Sequence, residues 1–162
     1  GLTGLKIEVI SRQIKKSKSS FYHYFADMEI YLDSLLEYHT QQAKLIAEKI
    51  KKECSNTEDI LKLMIKHKED IFFHKQLRVN RANILFKNCF EKAYSNISIA
   101  FLGYWTKEVD LSNNKQISKE LLDLIEENFY LSITEINFTY NWLLDYMTNL
   151  KELVTNLKNY KK

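Results

Sequence analysis

Residues 17–25 of the chain read SKSSFYHYF. Lys18, Ser19, Ser20, Tyr22 and His23 supply an ammonium, two hydroxyls, a phenol and an imidazole within one short segment. All five can donate hydrogen bonds, and the lysine carries a fixed charge. Such donors near the start of a short helix suit anionic oxygens and base edges. Lysine can donate to guanine O6 and N7, and serine can pair with several bases. Lys15 and Lys16, just upstream, add charge that attracts a polyanion without reading it. Phe21 and Phe25 stand at i and i+4, so they share a helical face and are expected to be core. Tyr24 fits either role.

A second constellation could hold a metal. His67 and His74 lie seven positions apart on one helix face, with Asp70 between them. Phe73 and Lys75 flank the expected helix end at His74 and no further ligand is evident, so no metal is expected. The sequence has no Gly-rich phosphate loop, no HExxH and no nucleophile motif, so neither enzyme activity nor a cofactor is expected. Cys54 and Cys89 lack CxxC spacing and read as reduced thiols of a cytoplasmic protein. No apolar run reaches the roughly 18 residues that span a bilayer, so no membrane partner is expected. Asn96-Ile-Ser98 and Asn137-Phe-Thr139 match the glycosylation pattern, which reads as chance in an asparagine-rich cytoplasmic chain.

The elements that must position these groups follow from composition and period. The chain has 162 residues, 45% of them hydrophobic, no proline, and glycine only at positions 1, 4 and 103. Strand-and-turn folds need turn residues far more often than that, so the fold is expected to be all-α. The net charge of +3 is unevenly spread. Residues 1–24 carry five bases against Glu8 alone, a net of +4, which leaves −1 for the rest. A basic head on a neutral body is the asymmetry expected of a nucleic-acid-binding chain.

A short helix is expected over 5–14, then a polar break, then a second over 18–24 capped by Ser17. Two short helices with a tight turn make a helix-turn-helix unit. Asp27 caps a long helix that runs to about 54, with Ile30, Leu36, His39, Ala43, Ile46 and Ile50 on one face. Ser55 and Glu58 have capping-box spacing before a helix over 58–73. The residues His74-Lys-Gln-Leu77 read as a break, followed by a short helix from about 77 and a longer one over 88–109. A loop over 110–116 leads to a helix over 117–136. A turn at 137–140 leads to a last helix over 142–160. The division is a head at 1–28 and a regulatory and dimerisation body at 29–162.

With these elements placed, residues 7–32, IEVISRQIKKSKSSFYHYFADMEIYL, resemble the DNA-binding region of the tetracycline-repressor (TetR) family of transcription regulators. Ile10-Ser11 stands for that family's Ile-Ala pair, Lys15-Lys16-Ser17 for its Gly-Val-Ser turn, and Tyr22-His23-Tyr24-Phe25 for the end of its recognition helix. Asp27-Met28-Glu29 opens the next helix. The resemblance covers about residues 4–36. The rest fits in helix pattern and length only. Three departures stand out. Lys15 replaces the turn glycine, so a lysine is expected in a left-handed conformation at a cost of roughly 1 kcal/mol. Lys16 replaces the turn valine, and Met28 replaces a lysine that contacts phosphate. The family has a further helix before this point. The chain begins inside what would be the loop after it, so that bracing helix is expected to lie outside these residues.

What the resemblance implies is a bacterial, cytoplasmic, homodimeric repressor that binds palindromic double-stranded DNA and responds to a small, apolar effector. It implies Tyr22 on a phosphate, His23 on phosphate or base, and Lys6 on the DNA backbone. Lys16, Lys18, Ser19 and Ser20 complete the expected DNA contacts. The last two helices are expected to pair with their mates as a four-helix bundle through Ile125, Phe129, Trp142, Tyr146, Leu150, Leu153 and Leu157. A body cavity is expected to draw on His67, Phe86, Asn88, Phe90, Phe101, Tyr104, Trp105 and Phe129. The alternative is a helical protein-interaction module whose basic head binds an acidic partner or a membrane surface. The Ser-x-x-x-Phe-Tyr-x-x-Phe pattern argues against it.

Overall fold

Ser17 and Asp27 punctuate the N-terminal region as their side chains dictate. In the computed structural model, which describes residues 5–109 and 115–159, Ser17 Oγ accepts the Ser20 amide at 3.0 Å and Asp27 Oδ1 accepts the Ile30 amide at 2.9 Å. These caps open α2 (Lys18–Tyr24) and α3 (Met28–Glu53), after the short α1 (Ile7–Gln13). The chain continues through α4 (Thr57–Lys66), α5 (Lys68–Val79), α6 (Ile84–Glu108), α7 (Lys115–Ser132) and α8 (Tyr140–Asn159). The fold is all-α, and no strand occurs among the described residues.

α1 ends in a Schellman turn. The Lys16 amide donates to Ser11 O at 2.9 Å and the Lys15 amide donates to Arg12 O at 3.2 Å. Lys15 has φ 53°, the left-handed conformation expected of it, and is the only non-glycine residue with positive φ among those described. The turn carries α2 back beside α1. Phe21, 4% exposed, then meets Phe25 at 5.4 Å and Tyr31 of α3 at 5.3 Å between ring centroids. Phe25 and Tyr31 close the triangle edge-to-face at 5.0 Å. Offset and edge-on rings at these distances are mutually favourable.

The body is built around α3 and α6, which pack against each other more extensively than any other pair. Small side chains allow the close approach: Ala43 and Ala47 on α3, Ala93 and Ala100 on α6, all buried. One core cluster gathers Leu36, Leu77, Phe86, Cys89 and Phe90. The larger one joins α3, α4, α6, α7 and α8 through Ile46, Ile60, Leu61, Trp105, Ile133 and Leu143, among others.

Several boundaries differ from the sequence expectation. The helix expected over 58–73 is divided at His67, whose φ −106° and ψ 29° leave the α region while nearly preserving the helical register. Its N-cap is Asn56, not Ser55, because Asn56 Oδ1 accepts the Asp59 amide at 3.0 Å and Asp59 in turn accepts from Ser55. The residues His74-Lys-Gln-Leu77 lie inside α5 rather than at a break. Lys75 sits there because its ammonium donates to Ile133 O at 2.6 Å, satisfying a carbonyl just past the end of α7. The true break is at 80–83, where Asn83 Oδ1 caps the Leu85 and Phe86 amides, so α6 starts at Ile84. α7 stops at Ser132, where Asn137 reaches back to Ser132 O at 2.9 Å and Thr134 N at 2.7 Å. The loop expected over 110–116 lies largely outside the described residues.

Lys15→Gly keeps the Schellman turn and removes the Cβ strain. It is expected to protect the α1–α2 amides from hydrogen exchange by about 1 kcal/mol more than the parent chain, whereas Lys15→Val loses a similar amount. An unchanged exchange rate in both variants would show that the turn is not strained.

Candidate functional site

Two regions collect groups able to do chemistry: the exposed donors of α1 and α2, and a cavity inside the helical body.

Lys6, Lys16, Lys18, Ser19, Tyr22 and His23 are all exposed. Ser20 differs. It is half-buried, and its hydroxyl lies 3.0 Å from Ser17 Oγ, within the cap of α2. Lys18 Nζ donates to Glu8 Oε1 at 2.6 Å, which holds the Glu8 carboxyl below its usual range. Both partners are more than half exposed, so the pair is open to exchange with an outside anion. Beneath the donors, Ile10 and Phe21 are buried and Phe25 is half-buried, as their helical spacing requires. Tyr24 is 76% exposed, which resolves its role toward the surface. Ser11 is buried, and its hydroxyl finds no partner among the described residues. A hydroxyl at a close helix contact costs about 1–3 kcal/mol when it is left unbonded.

The body encloses a cavity of about 110 Å³ whose wall draws on α3 to α8. Roughly 150 Å³ of apolar cavity is enough to hold a benzene ring. Of the residues expected to line a pocket, His67, Phe101 and Phe129 do so. Phe86 and Phe90 instead belong to the Leu36 core cluster, because the first turns of α6 pack on α3 and α5. Trp105 is fully buried and stacks on Phe101 at 6.3 Å, behind the wall. Tyr104 is drawn away by a 2.9 Å hydrogen bond with Thr57, part of a network that also includes Glu108 and Lys151. Asn88 is exposed on α6 and cannot serve as a polar handle in the cavity.

The polar groups of the wall are ones that aromatic counting does not find. His39 on α3 and His74 on α5 meet at 3.2 Å, Nε2 to Nδ1, and are 3% and 2% exposed. His74 stacks on Phe90 at 4.7 Å. Burial drives both imidazoles below their usual range, His39 to about 4 and His74 to about 3, with Asp70 partly opposing the shift of His39. Each is therefore neutral at pH 7. His67 sits between α4 and α5. Lys49 Nζ, which can only donate, lies 3.4 Å from its Nε2, so Nδ1–H donates to Asp70 Oδ2 at 2.9 Å. Glu126 on α7 also lines the cavity. Burial pushes its carboxyl up to about 7, and the nearby Tyr94 hydroxyl and Arg78 guanidinium oppose the rise. Glu126 Oε2 and His39 Nδ1 are buried and find no hydrogen-bond partner among the described residues. A sequence signal did exist for them: His39 falls within an apolar stripe, and Glu126 lies between Leu122 and Tyr130 on the inward side of α7. No cluster of ligating side chains suited to a metal occurs among the described residues.

The residues expected to pair two copies divide between inside and outside. Ile125 and Phe129 are 8% and 9% exposed and turn inward onto the cavity rather than outward to a partner. Tyr146 also lines the cavity, while its hydroxyl donates to Ile125 O and Asn128 Oδ1 at 3.2 and 3.0 Å. Trp142 stacks on Tyr146 at 5.2 Å and is half-buried, as is Leu150. Leu153 is 53% exposed, and on α7 the outward apolar residues are Leu124 at 69% and Leu131 at 72%. The side chain of Leu157 lies outside the described residues. No helix among the described residues is long and apolar enough to cross a membrane.

No protein-family model matches the chain, and neither does any curated protein or solved structure.

The buried titrations set opposing pH trends. Below pH 6.5 the unfolded chain protonates His39 and His74 while the folded chain resists to about 4 and 3, so stability falls as pH drops through that window. Glu126 acts the other way. Its contribution is complete below its ordinary 4.5 and is lost as pH rises to about 7. Denaturant midpoints measured between these limits should show a flatter acid limb for His39→Gln/His74→Gln and a steeper one for Glu126→Gln. Identical limbs in all three chains would refute the assignment.

Proposed function

We propose that the chain is a ligand-responsive DNA-binding transcription regulator of the tetracycline-repressor type, acting as a homodimeric repressor on a palindromic operator. The observation that carries this reading is the double use of α3. Its first turn anchors α2 through Tyr31, and its second half, from His39 to Ile50, forms one wall of the cavity. Donors and cavity thus share one uninterrupted helix of 26 residues, about 39 Å long.

On this reading α2 enters the major groove. Lys18, released from Glu8, and Ser19 reach base edges, while Tyr22, His23, Lys6 and Lys16 hold phosphates. Ser20 keeps its bond in the cap and serves the helix rather than the DNA. A second copy supplies the other half-site. The exposed leucines of α7 and α8 give the pairing face, with Leu124 and Leu131 taking the part that Ile125 and Phe129 play inside the subunit. Binding of a small molecule in the cavity changes the spacing of the two heads and releases the operator.

Duplex-DNA binding should weaken steeply and log-linearly with salt and should saturate on a selected palindrome. Lys18→Ala should relax sequence preference, and Tyr22→Phe should weaken binding to all sequences about equally. Flat salt dependence, or equal affinity for operator and random DNA, would refute the reading.

Light scattering should give twice the chain mass, reduced to one by Leu124→Glu/Leu131→Glu with helicity unchanged. A dimeric double variant would move the interface elsewhere.

A further inference from the structure

The cavity wall has a sign. Its charged or ionisable members are Asp70, Glu126, three imidazoles and the Tyr130 and Tyr146 phenols, and no lysine or arginine lines it among the described residues. Asp70 is engaged by His67, and His39 and His74 are engaged with each other. That leaves Glu126 Oε2 and His39 Nδ1, both buried and both without a hydrogen-bond partner among the described residues. A carboxylate oxygen can only accept. His39 Nδ1 accepts as well when Nε2–H of the same ring donates to His74. With that tautomer the wall offers acceptors for a donor, and the only free charge on it among the described residues is negative.

Glu126 and Tyr130 line a second, outer cleft of about 300 Å³ as well as the cavity, so they form the partition between the two. The groups facing Glu126 from the cleft are Arg78, Arg81 and Lys119 with Asp123, Glu127 and Tyr94. Arg78 is paired with Glu127, and the Tyr94 hydroxyl donates to Asp123 at 2.6 Å. Arg78 thus has a carboxylate of its own, and Arg81 donates to Arg78 O and lies over the Phe90 ring. The rest of the inner wall is apolar or aromatic, with Phe101, Phe129 and Tyr146 the ring faces that border it.

We propose that the cavity binds a small organic cation, a protonated amine on an apolar body of about one ring, with its N–H on Glu126 Oε2. The apolar body lies against Phe101 and Phe129, and the ammonium has the Tyr130 ring beside it. An anion of the same size meets an acceptor-lined wall and is excluded. A neutral alcohol satisfies Glu126 with a weaker bond, because charge-assisted hydrogen bonds are roughly twice as strong as neutral ones. The raised titration point of Glu126 agrees with a carboxylate short of a partner. As the effector of the regulator described above, the cation rests on that reading. As a ligand of the cavity it does not.

Calorimetry on the full chain with benzylamine, benzyl alcohol and benzoate tests it, at about pH 8 so that Glu126 is ionised. Benzylamine should bind at least about tenfold tighter than benzyl alcohol, and benzoate most weakly. Glu126→Gln should remove the preference for the amine and leave benzyl alcohol within about twofold. If the alcohol or benzoate binds as well as the amine, or if none binds, the proposal fails; the parent chain alone decides this even if the variant does not fold. A gel shift on the selected operator, with and without benzylamine, separates the two readings. Amine binding without DNA binding upholds the cation site and removes the regulator. DNA binding without amine binding does the reverse.

Discussion

The structure depends on α3 staying one unbroken rod. Asp27 fixes where it begins, and no glycine or proline interrupts residues 28–53. Three different burial problems are then solved along its length. Tyr31 seats Phe21 and Phe25, Leu36 enters the cluster with Leu77 and Phe90, and Ile46, Ala47 and Ile50 enter the main core. Alanines on α3 and α6 bring the two axes close, and close packing of this kind resists sliding. The two short N-terminal helices have little burial of their own. They depend on the aromatic triangle for a fixed place relative to the body.

The acceptor character of the cavity follows from how the chain spends its cations. Near the core, Lys68 and Lys75 go to carbonyls beyond the end of α7, Lys151 to Glu108, Arg78 to Glu127, and Lys49 to His67. Arg81 donates to Arg78 O and lies over the Phe90 ring. Helix ends need donors for their free carbonyls, and long basic side chains supply them while burying their stems. The imidazoles are left to satisfy each other, and Glu126 keeps one oxygen without a donor. The sign of the wall is thus a consequence of helix-end chemistry elsewhere in the fold.

What could be read from the sequence was what local chemistry decides. The caps at Ser17 and Asp27, the extent of α2 and the left-handed Lys15 each depend on a few adjacent residues, and each was legible. The division at His67 was not, because a single residue just outside the α region barely disturbs the apolar period. Lys75 read as a break because its partner carbonyl is 58 residues away. Ring-bearing residues of α6 gave no hint of which way they faced: Phe101 borders the cavity, while Trp105, one turn on, lies behind it. Leu124 and Ile125 are neighbours on α7, about 100° apart, and an apolar arc that wide has two sides. Periodicity marks the arc but does not say which side meets the chain's own core.

For a cavity to influence the N-terminal helices, a ligand must prefer one of two arrangements of the wall. The packing narrows where a second arrangement can arise. α3 and α6 are locked by their small residues and move together. α4 and α5 meet at His67, whose side chain ties that junction to Lys49 on α3 and to Asp70 on α5. Those two bonds are polar, directional and partly buried, so they are made or broken rather than stretched. On the proposed reading, a ligand that fills the space beside His67 and bonds Glu126 would draw α7 and the α4–α5 junction toward each other. On that reading α3 would turn as a unit, and the α2 helix seated on Tyr31 would turn with it. Breaking the Tyr31 seat would uncouple the head from the cavity while leaving both intact.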